Sequence, residues 1–504
     1  MIIQFDQLED VSFQHIFGQA SQNITSLAFH SKHVKPGAIF FSIKGEAHDG
    51  HQYIDEAIER GAAAVIGTSL ETLERLSLVY PPCTFLVVEN VRDTMALLAK
   101  RFHNRADEQL KTIGVTGTNG KTTVAAYVRS LLTLLELPTG SIGTTGIWSS
   151  SQKLTYKKST PTTPESIDLH QIFHDLADMG DKAAVMEVSS IATDQKRVHG
   201  IHFDAAILTN FSEEHLEYHK TMDHYKKCKL ALFEQAKTAV INIDDEEMGK
   251  ELAQTFNGPK ITYSLLSQSG ADLTADMIEF TDIGSTFDIF YQGKIHHAKA
   301  PVFGTYNIAN VLAAIGTAIG LGYKMREILQ VLPMLQSPEG RFQVIAGPDN
   351  RKIILDYAHT PVALTRLVEE VKKMDYNRLI VMIAGIGIRD FNKMPKMAAA
   401  IEGQADEVIV TVDHPGHHDP QIIIDQVMTG FSEPKAPNIQ AALTREEGVI
   451  ASLSAAEPDD IILLTSGCIN GAQMVKGQEI PHSDEEIIES HYDSYEYDCH
   501  ELEI

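Results

Sequence analysis

The run Ile113-Gly114-Val115-Thr116-Gly117-Thr118-Asn119-Gly120-Lys121-Thr122-Thr123 places glycines at three-residue spacing ahead of a lysine and two threonines. Glycines let a backbone turn tightly and bring its N–H groups against phosphate oxygens. A helix beginning at the lysine adds its positive N-terminal end. In such a loop Lys121 neutralises the β- and γ-phosphates and the Thr122 hydroxyl holds Mg²⁺. The strict Walker spacing wants glycine at 115, where valine stands. The expectation is an ATP cradle built by Gly117, Thr118, Asn119, Gly120, Lys121, Thr122 and Thr123. A glycine-rich turn without a ligand is the ordinary alternative.

A phosphate cradle serves kinases, GTPases and ATPases alike, so further residues must narrow the chemistry. Three fall downstream: Glu187 in Met186-Glu187-Val188-Ser189-Ser190, His215 in Glu213-Glu214-His215-Leu216-Glu217, and Lys229 in Lys227-Cys228-Lys229-Leu230. Taken singly, they also read as a strand-end carboxylate, a satisfied histidine and one lysine of a solvated helix face.

The elements that must position these groups follow from apolar patterning. Residues 1–108 mix short strands and helices: a strand at 38–43 after the Lys35-Pro36-Gly37 turn, a helix from Tyr53 to Arg60, and a strand at 61–67. Around 109 the cradle strand opens a second unit, with strands at 183–188, 205–209 and 239–243 and helices at 308–321 and 326–332. Pro333 to Gly340 reads as a hinge. A third unit, 336–504, has strands at 353–355, 379–383, 407–412 and 461–465. Strand alternating with helix predicts an α/β protein with mostly parallel sheets covered on both faces. Ligands in such sheets sit at the carboxyl ends of strands, where Asp356, Gly385 and Asp413 fall.

Composition bounds the function. A chain of 504 residues needs more than one core. Its formal charge of −26 argues against nucleic acid or an anionic membrane as a partner. Part of that charge lies after Ser483, from Asp484 to Glu503, and reads as a solvated terminal helix or frayed tail. Cys83, Cys228, Cys468 and Cys499 are far apart, match no zinc spacing and suggest a reducing compartment. The first residues lack a basic region followed by an apolar core, and the run 308–321 is short for a span. No export signal, no membrane insertion and a cytoplasmic location are expected.

Together these segments resemble the Mur ligases, most closely the UDP-N-acetylmuramoyl-tripeptide synthetases. The resemblance covers nearly the whole chain. It includes Ser31-Lys32-His33-Val34-Lys35-Pro36-Gly37, Lys44-Gly45-Glu46-Ala47-His48-Asp49-Gly50-His51 and Thr162-Thr163-Pro164-Glu165. It continues through the cradle and the Glu187 and His215 segments to Gly304-Thr305-Tyr306-Asn307-Ile308-Ala309-Asn310, Glu339-Gly340-Arg341-Phe342 and Asp356-Tyr357-Ala358-His359-Thr360-Pro361.

The resemblance implies three domains: a small UDP-sugar-binding α/β domain at 1–108, a P-loop ATPase-like domain at 109–335, and a Rossmann-like domain at 336–504 that binds the incoming amino acid. It implies that the γ-phosphoryl of ATP passes to the carboxylate of UDP-N-acetylmuramoyl-L-alanyl-D-glutamate. A free amino acid then attacks the acyl phosphate. Thr122 and Glu187 would hold one Mg²⁺, and His215 would help hold a second. Lys229, a repulsive neighbour for a cation, corresponds to a lysine that the family carbamylates with CO₂. Ser31, Glu46, Ala47 and His48 would hold the uracil and ribose end, and Thr162, Thr163, Ser189, Gln195 and Arg197 the pyrophosphate and sugar-peptide portion. Asn307, Asn310, Arg341 and Asp356 would approach adenosine as the third domain closes. Helix capping is the alternative for both asparagines, and a turn hydroxyl for Ser31.

The departures from the family pattern fall mainly where the amino acid is chosen, with Pro161 instead removing a side-chain hydrogen bonder near the UDP-sugar. Ile191 stands where histidine is usual, Glu214-His215-Leu216-Glu217 replaces Asp-His-Leu-Asp, and Pro161 replaces asparagine. Arg389 survives and could pair with the α-carboxylate. Members that add diaminopimelate carry Asp-Asn-Pro-Arg and Gly-Lys-Gly-His-Glu; here Asp413-His414-Pro415-Gly416 and Ser466-Gly467-Cys468-Ile469-Asn470-Gly471 stand instead. Each broken buried pair would cost roughly 2–5 kcal/mol, about 30-fold or more in affinity. Diaminopimelate is therefore disfavoured; lysine through Asp413 and a neutral or smaller residue stay open. Two rivals are a diverged ligase acting on another carboxylate and a silent nucleotide-binding paralogue. Substrate-dependent ADP release separates the latter from both enzymes.

Overall fold

The structure, a computed structural model, describes residues 1–45, 48–156, 162–281, 284–338, 340–467 and 471–501, with only the helical course given from 494 on. The chain divides into two compact units. The first comprises Met1–Asp276, Asp288–Ala298 and Ala309–Leu335, the second Met277–Phe287, Lys299–Ile308 and Gln336–Ile504.

Near its N-terminus the first unit holds a five-stranded sheet ordered His15–Phe17, Thr84–Val87, Ala62–Gly67, Ala38–Phe41, Ser26–Ala28. All its pairings are parallel except that of His15–Phe17. Its strands read as unbroken apolar runs because both faces are covered. Ile39, Phe41, Ala64, Ile66 and Leu86 enter one core, while Ala38, Phe40, Val65, Phe85 and Val87 enter the other. The period of two in side-chain direction sorts one sequence between two cores.

The second sheet of this unit carries the glycine-rich loop. From Thr139–Gly143 its strands run parallel through Ala183–Glu187, Lys111–Thr116, Phe203–Leu208, Ala236–Asn242 and Lys260–Ser264 to the start of Leu273–Thr281. Val115 is in register with Glu187 and Thr116 with Leu208. Three neighbouring strands therefore end at one edge, and deliver Gly117, Glu187 and Thr209 there.

The sheet of the second unit is ordered Gln343–Ala346, Lys352–Asp356, Ile461–Thr465, Leu379–Ile386, Glu407–Asp413, Ile439–Ala441. Only the first pairing is antiparallel. Helices Pro361–Val371, Met394–Ile401 and Pro420–Met428 fill one face with Leu364, Leu367, Met397, Ile401 and Ile423. Arg445–Ser454 and Asp484–Glu501 contribute Val449, Leu453 and Ile488 to the other.

This last helix corrects the expectation of a solvated acidic tail at its first residue. Asp484 is buried, with its carboxylate 2.6 Å from Arg445 Nη2 and 2.8 Å from His482 Nε2. A cation 39 positions earlier in the chain neutralises it, which a charge count of the tail cannot reveal. Helix Thr305–Gly320 starts three residues before the Ile308 start expected from the sequence. The Glu370 carboxylate accepts from Thr305 N at 2.9 Å and Thr305 Oγ1 at 2.7 Å, so the helix end is held from outside its own segment. Among the described residues no helix is long and apolar enough to cross a membrane.

Candidate active site

The expected cradle forms between strand Lys111–Thr116 and helix Lys121–Leu134. Gly117 has φ +148°, and a Cβ there would lie 1.9 Å from Thr209 Oγ1, so the loop closes on its neighbour only without a side chain. Asn210 shapes the loop by accepting from Thr118 N at 2.8 Å and, through Oδ1, from Asn119 N at 2.9 Å. Those two amides are engaged within the protein. The first turn of the helix, at Lys121, Thr122 and Thr123, is where amides without intrahelical partners remain. Lys121 Nζ donates to the carbonyls of Gly117 and Thr118, both at 2.9 Å. Asn310 lies beside the loop, since a Cβ at Gly120 would sit 2.9 Å from its Oδ1.

Glu187 ends the adjacent strand, buried, with Oε2 accepting from Thr122 Oγ1 at 3.0 Å. Its Oε1 accepts from Thr144 N at 2.7 Å, and Thr144 Oγ1 donates to Oε2 at 3.3 Å. Gly143 makes room for it: a Cβ at Gly143 would lie 2.2 Å from Glu187 Oε1. Two oxygens held at right angles by metal–oxygen bonds of about 2.1 Å stand about 3.0 Å apart. The Thr122–Glu187 spacing of 3.0 Å therefore fits a pair of magnesium ligands.

Lys229 is the least ordinary group in the molecule. Its side chain is 2% exposed, Nζ donates to Gly117 O at 2.7 Å, and it stands 4.6 Å from the centroid of the Tyr225 ring. Burial, reinforced by the Lys121 charge, holds its ammonium well below the usual lysine range. The solvated-helix-face alternative fails here. His215 sits at φ +59° ahead of helix Leu216–His219, its side chain 43% exposed, 3.4 Å from Glu217 and 3.7 Å from Glu214. Its ring meets Tyr225 edge-on at 6.2 Å. Tyr225 is thus the packing floor that Lys229 and His215 share. Burial pushes its phenol up to about 12, so it stays protonated, 3.3 Å from Thr118 Oγ1.

The acceptor-side residues separate into two groups. Thr163 Oγ1 donates to Glu187 O at 2.9 Å and accepts from Ser189 N at 3.1 Å. Thr162 Oγ1 lies 3.4 Å from Thr144 Oγ1. Arg197 is buried among Thr163 O at 2.9 Å, Gln195 Oε1 at 2.7 Å and Glu165 Oε1 at 3.2 Å. Its guanidinium therefore already has an anionic partner in Glu165. The other group lies in the N-terminal sheet region: Ser31 Oγ donates to Glu56 Oε2 at 2.8 Å, and His48 is exposed. Glu46 and Ala47 lie outside the described residues, as do Pro161, Glu339 and Asn470.

In the second unit Asp356 is half-buried at the surface but enclosed around its carboxyl, which accepts from Phe342 N and Ala358 N, both at 2.8 Å. Burial raises its carboxyl above the usual range, against the lowering pull of Arg341. Arg341 stacks on Tyr357 at 5.1 Å. Asn307 lies in the first turn of helix Thr305–Gly320 and not at its cap position, and its Nδ2 donates back to Phe303 O at 2.9 Å. Arg389 is exposed at the end of strand Leu379–Ile386. Asp413 is fully buried, with Oδ1 accepting from Gln473 Nε2 at 2.7 Å and His414 N at 3.0 Å. His414 Nδ1 accepts from Met474 N at 3.0 Å, which ties this loop to strand Ala472–Val475.

Sequence reasoning passed over Gly143, Thr144, Asn210 and Tyr225. Only Tyr225 left a signal, one helical turn before Lys229. The cysteine count also missed that Cys228 stands beside His219 and His224.

Comparison with known proteins bears on the whole chain. Residues 23–103 match the family described as "Mur ligase family, catalytic domain", 115–318 "Mur ligase middle domain", and 340–468 "Mur ligase, glutamate ligase domain". A protein of Clostridium acetobutylicum named UDP-N-acetylmuramoyl-L-alanyl-D-glutamate–2,6-diaminopimelate ligase 2 is 34% identical, over 95% of this chain and 98% of its own. One of Pseudomonas aeruginosa, named as the same type of ligase, is 35% identical over 95% and 97%. A solved structure titled as a ligase of that name is similar at 28% identity, with a TM-score of 0.71 over 98% of this chain and 100% of that one. A Mycobacterium tuberculosis folylpolyglutamate synthase shares the fold at 16% identity and a TM-score of 0.59, over 75% and 93%.

Proposed function

This chain belongs to the Mur ligase family, and on that premise we propose that it joins an amino acid to UDP-N-acetylmuramoyl-L-alanyl-D-glutamate during peptidoglycan synthesis. It is a ligase, with ATP as the co-substrate. The observation that carries the finer reading is the convergence of Lys121, Thr122, Glu187 and Lys229 on Gly117 and its loop.

In this reading the γ-phosphoryl of ATP transfers to the acceptor carboxylate, giving an acyl phosphate and ADP. The amine of the incoming amino acid then adds to the acyl carbon, and phosphate leaves from the tetrahedral intermediate. Transfer concentrates negative charge on the phosphoryl oxygens. Lys121 and the first turn of helix Lys121–Leu134 oppose that charge in a partly buried setting, where fixed donors are worth more than in water. Magnesium, held by Thr122 and Glu187, would supply Lewis-acid charge beside the phosphates. His215 and Lys229 would serve a second ion. Lys229 suits that role because an uncharged amine adds to CO₂, forming a carbamate and releasing one proton. Burial favours the uncharged amine, and the carbamate converts a would-be cation into an anionic oxygen donor. Residues 1–108 would take the UDP-sugar, 109–335 ATP, and 336–504 the amino acid.

The relatives are named for diaminopimelate, yet the second unit of this chain supports a different amino acid. Gly416 stands where diaminopimelate-adding members carry arginine. It has φ +63°, and a Cβ there would lie 2.8 Å from the Ile388 side chain. The Asp413 carboxylate is sunk beneath Gln473 and His414, which leaves a weak grip for a distal ammonium. We therefore favour a neutral or small side chain over lysine, and either over diaminopimelate. Phosphate release with the UDP-muramoyl dipeptide and each of lysine, ornithine, diaminopimelate, alanine and serine tests this; strong preference for diaminopimelate would sink it. The departure Pro161, which in sequence directly precedes the acceptor-side Thr162 and Thr163, favours a second reading in which another carboxylate is the acceptor. Turnover with none of these amino acids on the muramoyl dipeptide would support that one.

A further inference from the structure

Behind the Lys229 helix lies a cluster that the ligase chemistry does not use. His224 and Cys228 are one turn apart on helix Met222–Leu230, Asp194 ends helix Ser190–Asp194, and His219 ends helix Leu216–His219. Cys228 Sγ is 3.6 Å from His224 Nε2 and 3.7 Å from Asp194 Oδ1, while His224 Nε2 is 3.2 Å from Asp194 Oδ1. His219 Nδ1 approaches the same ring, 3.2 Å from His224 Nδ1.

Those three edges form a nearly regular triangle of one sulfur, one nitrogen and one oxygen. Tetrahedral zinc binds sulfur at about 2.3 Å, nitrogen at about 2.0–2.1 Å and oxygen at about 2.0–2.2 Å. At tetrahedral angles such bonds set sulfur–nitrogen, sulfur–oxygen and nitrogen–oxygen edges of about 3.6, 3.6 and 3.4 Å. The measured triangle agrees within about 0.2 Å. Ligand rings in metal sites have their outer nitrogen hydrogen-bonded, which fixes ring orientation. That arrangement exists here: His224 Nδ1, the outer nitrogen of the ring, lies 3.2 Å from His219 Nδ1, and His219 Nε2 in turn lies 2.8 Å from Ser190 Oγ. Tyr218 Oη donates to Asp194 Oδ2 at 2.7 Å and leaves Oδ1 facing Cys228 and His224. Cys228 and His219 are buried whereas His224 is exposed, so one ligand stands at the surface as the route of entry.

We propose that Asp194, His224 and Cys228, with His219 on the outer nitrogen of the His224 ring, form a zinc-type site for a borderline-soft divalent ion, separate from Thr122 and Glu187. Thiolate and imidazole donors select zinc over magnesium. On binding, the Cys228 thiol gives its proton to solvent as the sulfur–metal bond forms. The site is placed to act as a clasp. Asp194 precedes Gln195 and Arg197, His219 lies one turn beyond His215, and Cys228 adjoins Lys229. An ion on Asp194, His224 and Cys228, with His219 bonded to the His224 ring, would tie all three segments and fix His215 and Lys229 relative to each other without touching substrate.

Cobalt(II) titrated into metal-free full-length protein, with excess Mg²⁺ present, reads the site through thiolate-to-cobalt charge-transfer absorption. Binding of one cobalt per chain with that absorption is expected. Cys228→Ser should abolish the absorption, and His224→Ala should weaken binding about tenfold or more. Zinc should displace the cobalt and raise the melting temperature of the parent but not of Cys228→Ser. Melting of each variant without metal shows that it is folded, and Asp194→Asn serves in place of any that is not. Absence of the absorption in the parent, or its persistence in Cys228→Ser, overturns the proposal. The readout needs no turnover, so it stands or falls independently of the ligase reading.

Discussion

Replacing Lys229 by alanine tests whether this buried amine takes part in the chemistry or merely packs. The truncation removes three methylenes and an amine from a site 2% exposed. Lost apolar burial costs about 0.8 kcal/mol per methylene, or about 2.4 kcal/mol in all. Against this, the variant escapes the cost of holding an amine in a dry site 2.7 Å from a single carbonyl and close to Lys121. The two effects oppose each other, so the net change in folding should stay within about 2 kcal/mol, a few degrees of melting temperature for a chain this long. Activity should respond differently. Loss of one preorganised electrostatic group typically lowers kcat by about 10²–10³-fold, or 2.7–4 kcal/mol. ADP release under saturating substrates, alongside thermal melting, separates the two. Acetate or formate should restore part of the turnover by lending the missing carboxylate. The parent should lose activity when CO₂ is stripped from the buffer and as pH falls through the depressed ammonium pKa, because the protonated amine cannot hold the carbamate. The same depression gives a stability slope of known sign. Between the folded and the ordinary lysine pKa the unfolded chain binds more protons, so Lys229 makes stability rise with pH across that window. A Lys229→Ala enzyme turning over within about threefold of the parent would refute the carbamate assignment.

Other perturbations probe separate links. Glu187→Gln removes the charge that Thr122 and Thr144 surround, and should raise the Mg²⁺ needed for half-maximal activity by about tenfold or more; an unchanged magnesium dependence would exclude Glu187 as a ligand. Gly143→Ala puts a carbon 2.2 Å from Glu187 Oε1. It should lower kcat while ADP release retains an ordinary ATP dependence, and a crystal structure of the variant should show Glu187 displaced. Asp484→Asn strands the Arg445 charge in the second unit and should cost about 3–5 kcal/mol in urea unfolding. Arg445 and His482 hold the Asp484 carboxyl well below its usual range despite burial. Its stabilising contribution is therefore full above the ordinary aspartate value and is lost as pH falls toward the folded value. An Asp484→Asn unfolding curve that overlays the parent's at neutral pH would show that the pair contributes nothing net.

Local chemistry was readable from the sequence wherever the information was local. The loop from Gly117 to Thr123 declares itself by glycine spacing, and the parallel strands by apolar runs bounded by turns. Glu187 could be placed at a strand end from pattern alone, because strand period and length fix which residue emerges at the edge. Tertiary structure decided what each group meets once there. No periodicity indicates that Gly143 vacates the space Glu187 occupies, that Asn210 takes two loop amides, or that Tyr225 lies under both Lys229 and His215. The charge state of Lys229 and the burial of Asp484 are likewise collective. They depend on desolvation and on partners brought close by folding, from Gly117 in one case and Arg445 in the other, and a one-dimensional reading contains neither distance nor dielectric. Cys228 is the plainest instance: its spacing from the other cysteines carries no meaning, whereas a turn and two helices set it beside two imidazoles and a carboxylate.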